Sequence, residues 1–409
     1  MTADIGDGPG ADLPRQEPPR LGPGLLLVMS IACGGMAANL YYAQPLIQMI
    51  GEDLGFASRE LGIIVMLTQF GYCAGLLAIV PLADRFENRR LIVILGLGAA
   101  IGLALVAVST TPLLFLASSL MVGICSVGAQ VLVPLAAHLA APGHQGRVIG
   151  FIMSGLLTGV MLARPLSSGI AEYFGWRAAF FWPAALIVGL TILLARGLPR
   201  RQPEGDIPPL EILTSMLALF RRFPVLRRRA LYQACLFAAF NLFWTASPLA
   251  LSDSFGLSQG GIALFALAGA GGALAAPLAG RLADRGWARA GSLGAIAVAA
   301  ISFAATEPAV AWLSIGALVV LALAIDAATQ VNQVLSQNVI YSLAPESRGR
   351  INAIYMSAIF LGAGCGSALA AWLYAHFGWS ACALAGTLIA AAPLAIEALR
   401  PGGLVTRKG

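Results

Sequence analysis

Twelve apolar runs, each about as long as a membrane-crossing helix, constrain the fold of this chain more than any other feature. A helix that crosses the hydrocarbon core of a bilayer needs roughly 20 mainly apolar residues. The runs lie at residues 25–48, 59–82, 89–109, 113–138, 147–171, 177–197, 229–251, 259–282, 290–306, 310–338, 350–373 and 379–398. This pattern predicts an all-α membrane protein with twelve transmembrane helices.

The composition supports the same prediction. Of the 409 residues, 58% are hydrophobic and 11% are charged, which is too apolar for a soluble globular protein. All six cysteines fall inside apolar runs, without the spacing of a metal site or of an extramembrane disulfide pair. We therefore expect small packing cysteines, and neither a metal nor an organic cofactor.

The basic residues indicate how the chain is oriented. If the N-terminus is cytoplasmic, 22 of the 25 Lys and Arg residues fall on the cytoplasmic side, including all eight arginines from Arg196 to Arg229. Arg59 and Arg177 fall on the opposite side, and Arg164 lies within the membrane. Because cytoplasmic loops carry an excess of basic residues, both termini are predicted to be cytoplasmic. The net charge of +6 then reflects topology and not nucleic-acid binding.

The chain contains an internal duplication. The tetrapeptide LADR at residues 82–85 returns at residues 282–285, and Phe174-Gly175-Trp176 returns at residues 377–379, at offsets of 200 and 203 residues. Such repeats are typical of membrane proteins built from two related halves. We predict two pseudo-symmetric six-helix bundles. The predicted segments are a tail at 1–24, a bundle at 25–198, a cytoplasmic linker at 199–228, a bundle at 229–400 and a tail at 401–409.

The linker carries a helical pattern of its own. Leu210, Leu213, Leu217 and Phe220 recur at helical spacing, which indicates a short amphipathic helix on the inner leaflet. The alternative is a flexible tether in which these apolar residues are incidental.

Each half also carries a charged cluster between its second and third apolar runs. The members are Asp84, Arg85, Arg89 and Arg90 in the first half, and Asp284, Arg285 and Arg289 in the second. An aspartate beside arginines at a helix end can pair locally or face the positive end of a neighbouring helix. We predict that the clusters form a gate latch that closes in one conformation and opens in another. The alternative is that these charges only set the topology.

These features together resemble the major facilitator superfamily of secondary transporters, along essentially the whole chain. In that family the loop follows the pattern G-x-L-A-D-R-x-G-R-[RK]. The second copy here keeps Gly280, Leu282, Ala283, Asp284, Arg285 and Arg289. The first copy has Val80 and Glu87 where the family usually has glycine. The resemblance implies a transporter that works by alternating access, and not an enzyme.

Further resemblances concern direction and coupling. The fifth helix of efflux members follows a glycine- and proline-rich pattern. This chain keeps part of that pattern, as Gly155, Gly159, Pro165 and Gly169. The run from Asn39 to Leu46 resembles a first-helix signature of bacterial drug and sugar exporters. In the fourth helix, Ser119 stands where proton-coupled relatives often carry an arginine. The resemblance therefore implies efflux, but the usual coupling arginine is absent.

Two charges lie well inside the predicted hydrocarbon region, Asp326 in the tenth span and Arg164 in the fifth. Each costs about 2.5 to 3.5 kcal/mol on an insertion scale, so such residues are retained mainly where they face a cavity or a partner. We predict that Asp326 is a protonation switch that a proton neutralises when the cavity turns. The alternatives are a lasting ion pair with Arg164 or a role in packing alone. For Arg164, packing or snorkelling toward the interface is the further alternative.

Uncharged polar and aromatic residues complete the predicted site. Gln330, Gln333 and Gln337 follow Asp326 at i+4, i+7 and i+11, so they form one stripe on the helix. The other candidates for the substrate cavity are Asn39, Tyr42, Gln69, Tyr72, Gln130, Asn241 and Trp244, with Gln44 also in the first span. Amides with aromatic walls suit a neutral polar or amphipathic solute. Each residue taken alone is equally well explained by a hydrogen bond between helices.

The sequence predicts a secondary active transporter of a bacterial cytoplasmic membrane, acting as a monomer. Its expected partners are a small-molecule substrate, protons and membrane lipid. Because the chain has no Walker-type GxxxxGK[ST] sequence, we expect an ion or solute gradient to drive it. Proton-coupled efflux is the leading hypothesis of function. The alternatives are an importer or facilitator of the same fold, and a membrane receptor that binds a ligand without transporting it.

Overall fold

The computed structural model of the chain describes residues 22–141, 144–202, 209–344 and 347–399. Most of the predicted N-terminal tail, the whole of the C-terminal tail and the side chains of Asp84 and Asp284 lie outside the described part. The α-helices are α1 (Pro23–Ala38), α2 (Ile47–Leu54), α3 (Leu61–Ala78), α4 (Asn88–Ala107), α5 (Pro112–Ser126), α6 (Gly128–Leu139), α7 (Gln145–Phe174), α8 (Ala178–Gly197), α9 (Pro209–Arg222), α10 (Pro224–Asp253), α11 (Gln259–Gly269), α12 (Ala276–Asp284), α13 (Ala288–Ala311), α14 (Ile315–Tyr341) and α15 (Arg348–Ala398).

The predicted all-α fold with twelve transmembrane helices is confirmed. Within the described residues, nine helices are long and apolar enough to cross a membrane. The longest, α15, has 51 residues and leaves helical geometry at Gly378. Cys382 Sγ lies 3.6 Å from the Ala370 carbonyl oxygen, whereas a straight helix would hold these residues about 18 Å apart. Helix α15 therefore folds back and supplies the last two spans, while α1 with α2 and α11 with α12 supply two broken ones.

Three predicted spans are interrupted. The first breaks after Ala38, passes through a 3₁₀ turn at Gln44–Leu46 and continues to Leu54, because Pro45 has no N–H to donate within a helix. A 3₁₀ segment, Ala270–Ala275, divides the eighth, where glycines lower helix propensity. The fourth is divided at Val127.

The duplication is visible in how the helices end and pack. Gly175 and Gly378, 203 residues apart, have φ of +78° and +69°, a backbone conformation that glycine adopts without strain. Helix α7 packs on α1, where a Cβ on Gly159 would overlap the backbone of Gly34. The equivalent Gly362 packs against the backbone of Ala234 on α10. The same contact is therefore made once in each half, as two pseudo-symmetric bundles require.

The predicted linker helix is present as α9, so the flexible-tether alternative is wrong for residues 209–222. Ile212 and Met216 are buried against Ala353 at the start of α15. Leu213 and Leu217 point away from this contact and are exposed. Helix α9 therefore has one apolar side on the protein and another apolar side free to meet lipid; its place on the inner leaflet stays a prediction.

The two membrane faces are named here by the chain ends. The terminal face is where α1 begins and α15 ends, and the distal face is where α7 ends and α11 begins.

The seam is the contact between the two halves. At the distal face α7 contacts α11 across the seam, where Ser168 donates to Gln259 at 2.9 Å and the Gly260 N–H donates to Glu172 at 2.8 Å. Toward the membrane centre, the rings of Tyr72 and Phe360 meet at 4.4 Å.

Candidate functional site

The two predicted membrane charges lie at the seam, one from each half. Arg164 of α7 is 5% exposed and Asp326 of α14 is 7% exposed. Because α7 continues to Phe174, Arg164 lies deeper than the predicted span implies. Its guanidinium is buried among side chains of both halves, so the snorkelling alternative is wrong.

Aromatic rings surround the guanidinium of Arg164. Its central carbon lies 4.8 Å from the ring centroid of Tyr41, 5.2 Å from that of Phe240 and 4.5 Å from that of Trp244. A cation over an aromatic face contributes roughly 0.5–2 kcal/mol, with the larger values at desolvated sites. These rings therefore stabilise a charge that has been removed from water.

Trp244 connects the two charges. The indole N–H of Trp244 donates to Asp326 Oδ1 at 2.8 Å, while the face of the same indole contacts Arg164. In the part of the chain that the structure describes, no direct ion pair joins Arg164 to Asp326. The two charges still interact electrostatically. In this conformation the indole of Trp244 contacts both charges, where the ion-pair alternative expects them to contact each other directly.

A chain of amides extends this contact across the seam. Arg164 Nε donates to Gln44 Oε1 at 2.7 Å, and Gln44 Nε2 donates to Asn241 Oδ1 at 2.8 Å. Gln44 holds this position because the broken first span turns at residues 44–46. Gln44 and Arg164 belong to the first half and Asn241 to the second, so the amides join the halves beside the two charges.

The break in the eighth span positions Asp326. A Cβ on Gly272 would overlap the Cβ of Asp326 and approach the Leu323 carbonyl oxygen at 2.8 Å. Only glycine lets the two backbones come this close. The glycines that interrupt the span therefore bring its 3₁₀ segment directly against the acid.

Besides Asn241 and Trp244, four of the predicted cavity residues make hydrogen bonds between neighbouring spans. Asn39 donates to Ser126 at 3.1 Å, and Gln69 donates to the Leu40 carbonyl at 3.2 Å. Gln130 donates to the Tyr72 hydroxyl at 3.0 Å. Tyr42 is buried. In this conformation the four hydrogen-bonded residues hold neighbouring spans together, as the packing alternative expects.

The glutamine stripe on α14 differs from these. Gln330, Gln333 and Gln337 are all half-buried, and their side chains make no hydrogen bond to any residue that the structure describes. The amides of these three glutamines are therefore free to bind another molecule.

A second polar stripe on α14 was missed by sequence reasoning. Asn332 donates to Gln233 at 2.6 Å and accepts from Ser292, which in turn accepts from Arg229 at 2.7 Å. Arg229, the first residue of the predicted seventh span, is 1% exposed within α10, so it is a buried structural residue and not only a basic residue that sets the topology. The available signal was Gln233, which follows Arg229 by one helical turn and continues a polar face.

The structure describes only some of the side chains in the two predicted gate clusters. Arg89 donates to the Leu198 carbonyl at 3.3 Å, and Arg289 pairs with Glu397 at 3.0 Å within the second half. Arg85, Arg90 and Arg285 are exposed. With the side chains of Asp84 and Asp284 outside the described part, the latch stays a prediction.

Sequence comparisons identify related proteins over nearly the whole chain. The sequence profile of the Major Facilitator Superfamily matches residues 26–331 and 231–402. The chain is 39% identical over 374 residues to the uncharacterized transporter YgaY of Escherichia coli K12, covering 90% of this chain and 94% of that protein. It is 33% identical over 386 residues to SCO4007 of Streptomyces coelicolor, a protein named as a transporter, covering 91% and 88%.

Solved structures share the fold at low sequence identity. The nucleoside transporter NupG superposes with a TM-score of 0.70 at 16% identity, covering 91% of this chain and 99% of that one. A D-xylose–proton symporter superposes with a TM-score of 0.69 at 17% identity, covering 90% and 96%. At these identities the likeness establishes the architecture alone.

Proposed function

The chain belongs to the Major Facilitator Superfamily of membrane transporters, and we propose that it is a proton-coupled exporter of a small organic solute. In this proposal Asp326 carries the proton. The solute binds beside it, between the two halves, and crosses the membrane by alternating access.

The observation that carries the proposal is the convergence of Arg164 and Asp326 on one indole. Arg164 belongs to the first half, whereas Trp244 and Asp326 belong to the second. Protonation of Asp326 removes its negative charge and with it the attraction to Arg164 across the seam. Proton binding therefore changes how strongly the halves hold together, which is what coupling to a conformational cycle requires.

The glutamine stripe supports a solute site next to the proton site. Gln330 lies one helical turn from Asp326, and Gln333 and Gln337 continue toward the terminal face. Each free amide offers both a donor and an acceptor. These groups suit a neutral polar or amphipathic solute, which needs no opposite charge from the protein.

Export and orientation rest on sequence features. Gly155, Gly159 and Pro165 follow the fifth-helix pattern of efflux members. The excess of basic residues on the terminal face supports a cytoplasmic location for both termini. We propose a monomer in the bacterial inner membrane, because each chain supplies both halves of the seam.

Proton movement in everted membrane vesicles tests this function. Vesicles with an acidic interior and a pH-sensitive dye are given sugars, amino-acid-like metabolites and amphipathic drugs in turn. We expect one class of compound to release protons from wild-type vesicles, and Asp326→Asn to abolish that release. Glu211→Gln, an exposed acid on α9, is the matched control and should behave as wild type.

Folding is checked separately by the amount of monodisperse protein extracted from each membrane. Full proton release in a folded Asp326→Asn variant would contradict the proposed proton carrier. Movement of labelled solute without any proton release would favour the facilitator alternative.

A further inference from the structure

A cavity with a volume of about 320 Å³ lies between the two halves at the distal face. The first half lines it with α2 and the start of α3, and the second half lines it with the end of α10 and the part of α15 before its break. Small-molecule sites have volumes of about 300–1,000 Å³ and often lie between domains. The described lining residues do not include Arg164, Asp326 or the glutamine stripe. The cavity is therefore a separate candidate site.

Two acids line this cavity, one from each half. Glu52 belongs to the first half and Asp253 to the second, and no lysine or arginine is among the described lining residues. Neither carboxylate forms an ion pair with any residue that the structure describes, and the two arginines predicted for this face are each paired with another acid. The cavity therefore carries a net negative charge.

The ends of the surrounding helices have the same polarity. Glu52 lies in the last turn of α2 and Asp253 is the last residue of α10, and neither last turn contains a basic residue. Tyr374 lies in the last turn of α15 before its break at Gly378. The C-terminus of a helix carries a partial negative charge, which favours cations and disfavours acids. Acids at two such ends, beside one cavity, indicate that a cation binds between them.

The remaining walls select an organic cation. Phe56 and Tyr374 supply half-buried aromatic rings, and the Tyr374 hydroxyl donates to Asp253 Oδ2 at 3.2 Å. Aromatic faces attract ammonium groups, and carboxylates accept their hydrogen bonds. A metal ion such as Ca²⁺ needs six to eight oxygen ligands and no aromatic wall. We propose that this cavity binds one small organic cation, an amine or a quaternary ammonium, between the carboxylates of Glu52 and Asp253.

Occupation of the cavity links the two halves. Because each half supplies one carboxylate, a bound cation attracts both α2 and α10. A ligand that binds one conformation more tightly raises its population, so the cation should favour the conformation in which these two helix ends are close. Transport should then slow. This consequence rests on the proposed function, whereas the binding site rests only on the cavity and its charges.

Titration calorimetry with benzylamine and purified protein in detergent tests the site. We expect saturable binding of one benzylamine per chain, weakened by salt, and no binding of the uncharged benzyl alcohol. Both carboxylates remain exposed, so Glu52→Gln and Asp253→Asn should each weaken binding about three- to fivefold, and together about 10- to 25-fold. Glu60→Gln is the matched control and should bind as wild type, because Glu60 pairs with Arg59 outside the cavity.

Four results would overturn the proposal. Absence of saturable benzylamine binding to wild type, or equal binding to wild type and the double variant, would remove the site. Equal affinities for benzylamine and benzyl alcohol would show that the cavity does not select positive charge. Displacement of benzylamine by Ca²⁺ or Mg²⁺ at a lower concentration than by benzyltrimethylammonium would overturn the assignment to an organic cation.

Vesicle measurements separate failure of this inference from failure of the proposed function. Benzyltrimethylammonium carries no exchangeable proton, and loaded inside everted vesicles it meets the distal face in the proposed topology. It should slow solute-driven proton release by wild type but not by the Glu52→Gln/Asp253→Asn double variant. Binding without such slowing would support the site and contradict its effect on the halves. Benzylamine binding by a wild-type protein that releases no protons with any solute would contradict the proposed function and support the site.

Discussion

The carboxylate of Glu172 accepts a hydrogen bond of 2.8 Å from the backbone N–H of Gly260. Glu172 lies near the distal end of α7 in the first half, and Gly260 lies in the first turn of α11 in the second. A carboxylate at this position satisfies an N–H that the helix leaves unpaired and faces the positive end of its dipole. One acid thus caps a helix of the other half and helps to close the distal seam.

Glu172→Ala should open the distal seam more often. A helix cap contributes about 1 kcal/mol, so the population of the open conformation should rise about fivefold. Pulsed electron paramagnetic resonance between spin labels on cysteines introduced at Tyr173 and Ser254 measures this distance, with the native cysteines replaced. Ser258 accepts from Gly261 within the second half at 3.4 Å. Ser258→Ala should therefore leave the distance distribution unchanged, and an unchanged distribution in Glu172→Ala would mean that this contact does not hold the seam.

Two substitutions of Trp244 separate its contact with Asp326 from its contact with Arg164. Trp244→Phe keeps an aromatic ring beside Arg164 but loses the N–H that reaches Asp326. Because a hydrogen bond to a charged group contributes about 1.5–3 kcal/mol, we expect the free energy of unfolding to fall by that amount. Trp244→Leu also loses the ring, so its free energy of unfolding should be lower than that of Trp244→Phe by roughly 1–2 kcal/mol. Equal unfolding curves for the two variants would show that the ring contributes nothing to the buried cation.

The glycines of α7 should not be equivalent. A Cβ on Gly159 would overlap the backbone of Gly34, whereas a Cβ on Gly169 would meet no atom within 4 Å. Forcing a methyl group into a packed contact costs about 1–3 kcal/mol, so Gly159→Ala should lower the apparent unfolding temperature. Gly169→Ala is the matched control and should be neutral or slightly stabilising, since alanine favours helix. Differential scanning fluorimetry in detergent compares the two, and equal unfolding temperatures would contradict the packing of α1 on α7.

The spans and the duplication could be predicted because each depends on local sequence. A backbone inside a bilayer must satisfy its own hydrogen bonds, so apolar runs of sufficient length become helices. The Phe-Gly-Trp repeat likewise marks the two positions, Gly175 and Gly378, where a positive φ ends a long helix. The breaks were less predictable: Pro45 gives a signal for the first, whereas Val127 gives none for the fourth.

The partners of polar side chains could not be predicted, because they depend on which helices are neighbours. Arg229 ends a run of three arginines, Arg227 to Arg229, and was counted only among the basic residues that set the topology. The structure buries it against Ser292 of α13. Sequence reasoning also found the glutamine face of α14 but missed the adjoining face that carries Asn332. Periodicity shows that a helix has polar faces, and tertiary packing decides which of them is structural.

Asn332 and Gln333, neighbours on α14, provide a test of that distinction. Asn332 is fully buried and hydrogen-bonded to Gln233 and Ser292, so Asn332→Ala removes one hydrogen bond from each of these buried partners. Such a loss costs about 1–3 kcal/mol per buried group, and the variant should unfold at a clearly lower temperature. Gln333 is half-buried, with no side-chain hydrogen bond to the described residues. Gln333→Ala should therefore change the unfolding free energy by less than about 0.5 kcal/mol.

The effects on transport should be reversed: Gln333→Ala should impair transport more than Asn332→Ala. At a temperature where both variants remain folded, solute-driven proton release from vesicles should be close to wild type per folded molecule in Asn332→Ala. In Gln333→Ala the same release should require a higher solute concentration, because a free amide on the same face of α14 as Asp326 has been removed from the proposed solute site. If Gln333→Ala transports as wild type while Asn332→Ala raises the solute concentration required, the solute is bound by the face of α14 that packs on α10 and α13. The glutamine stripe would then have no part in binding.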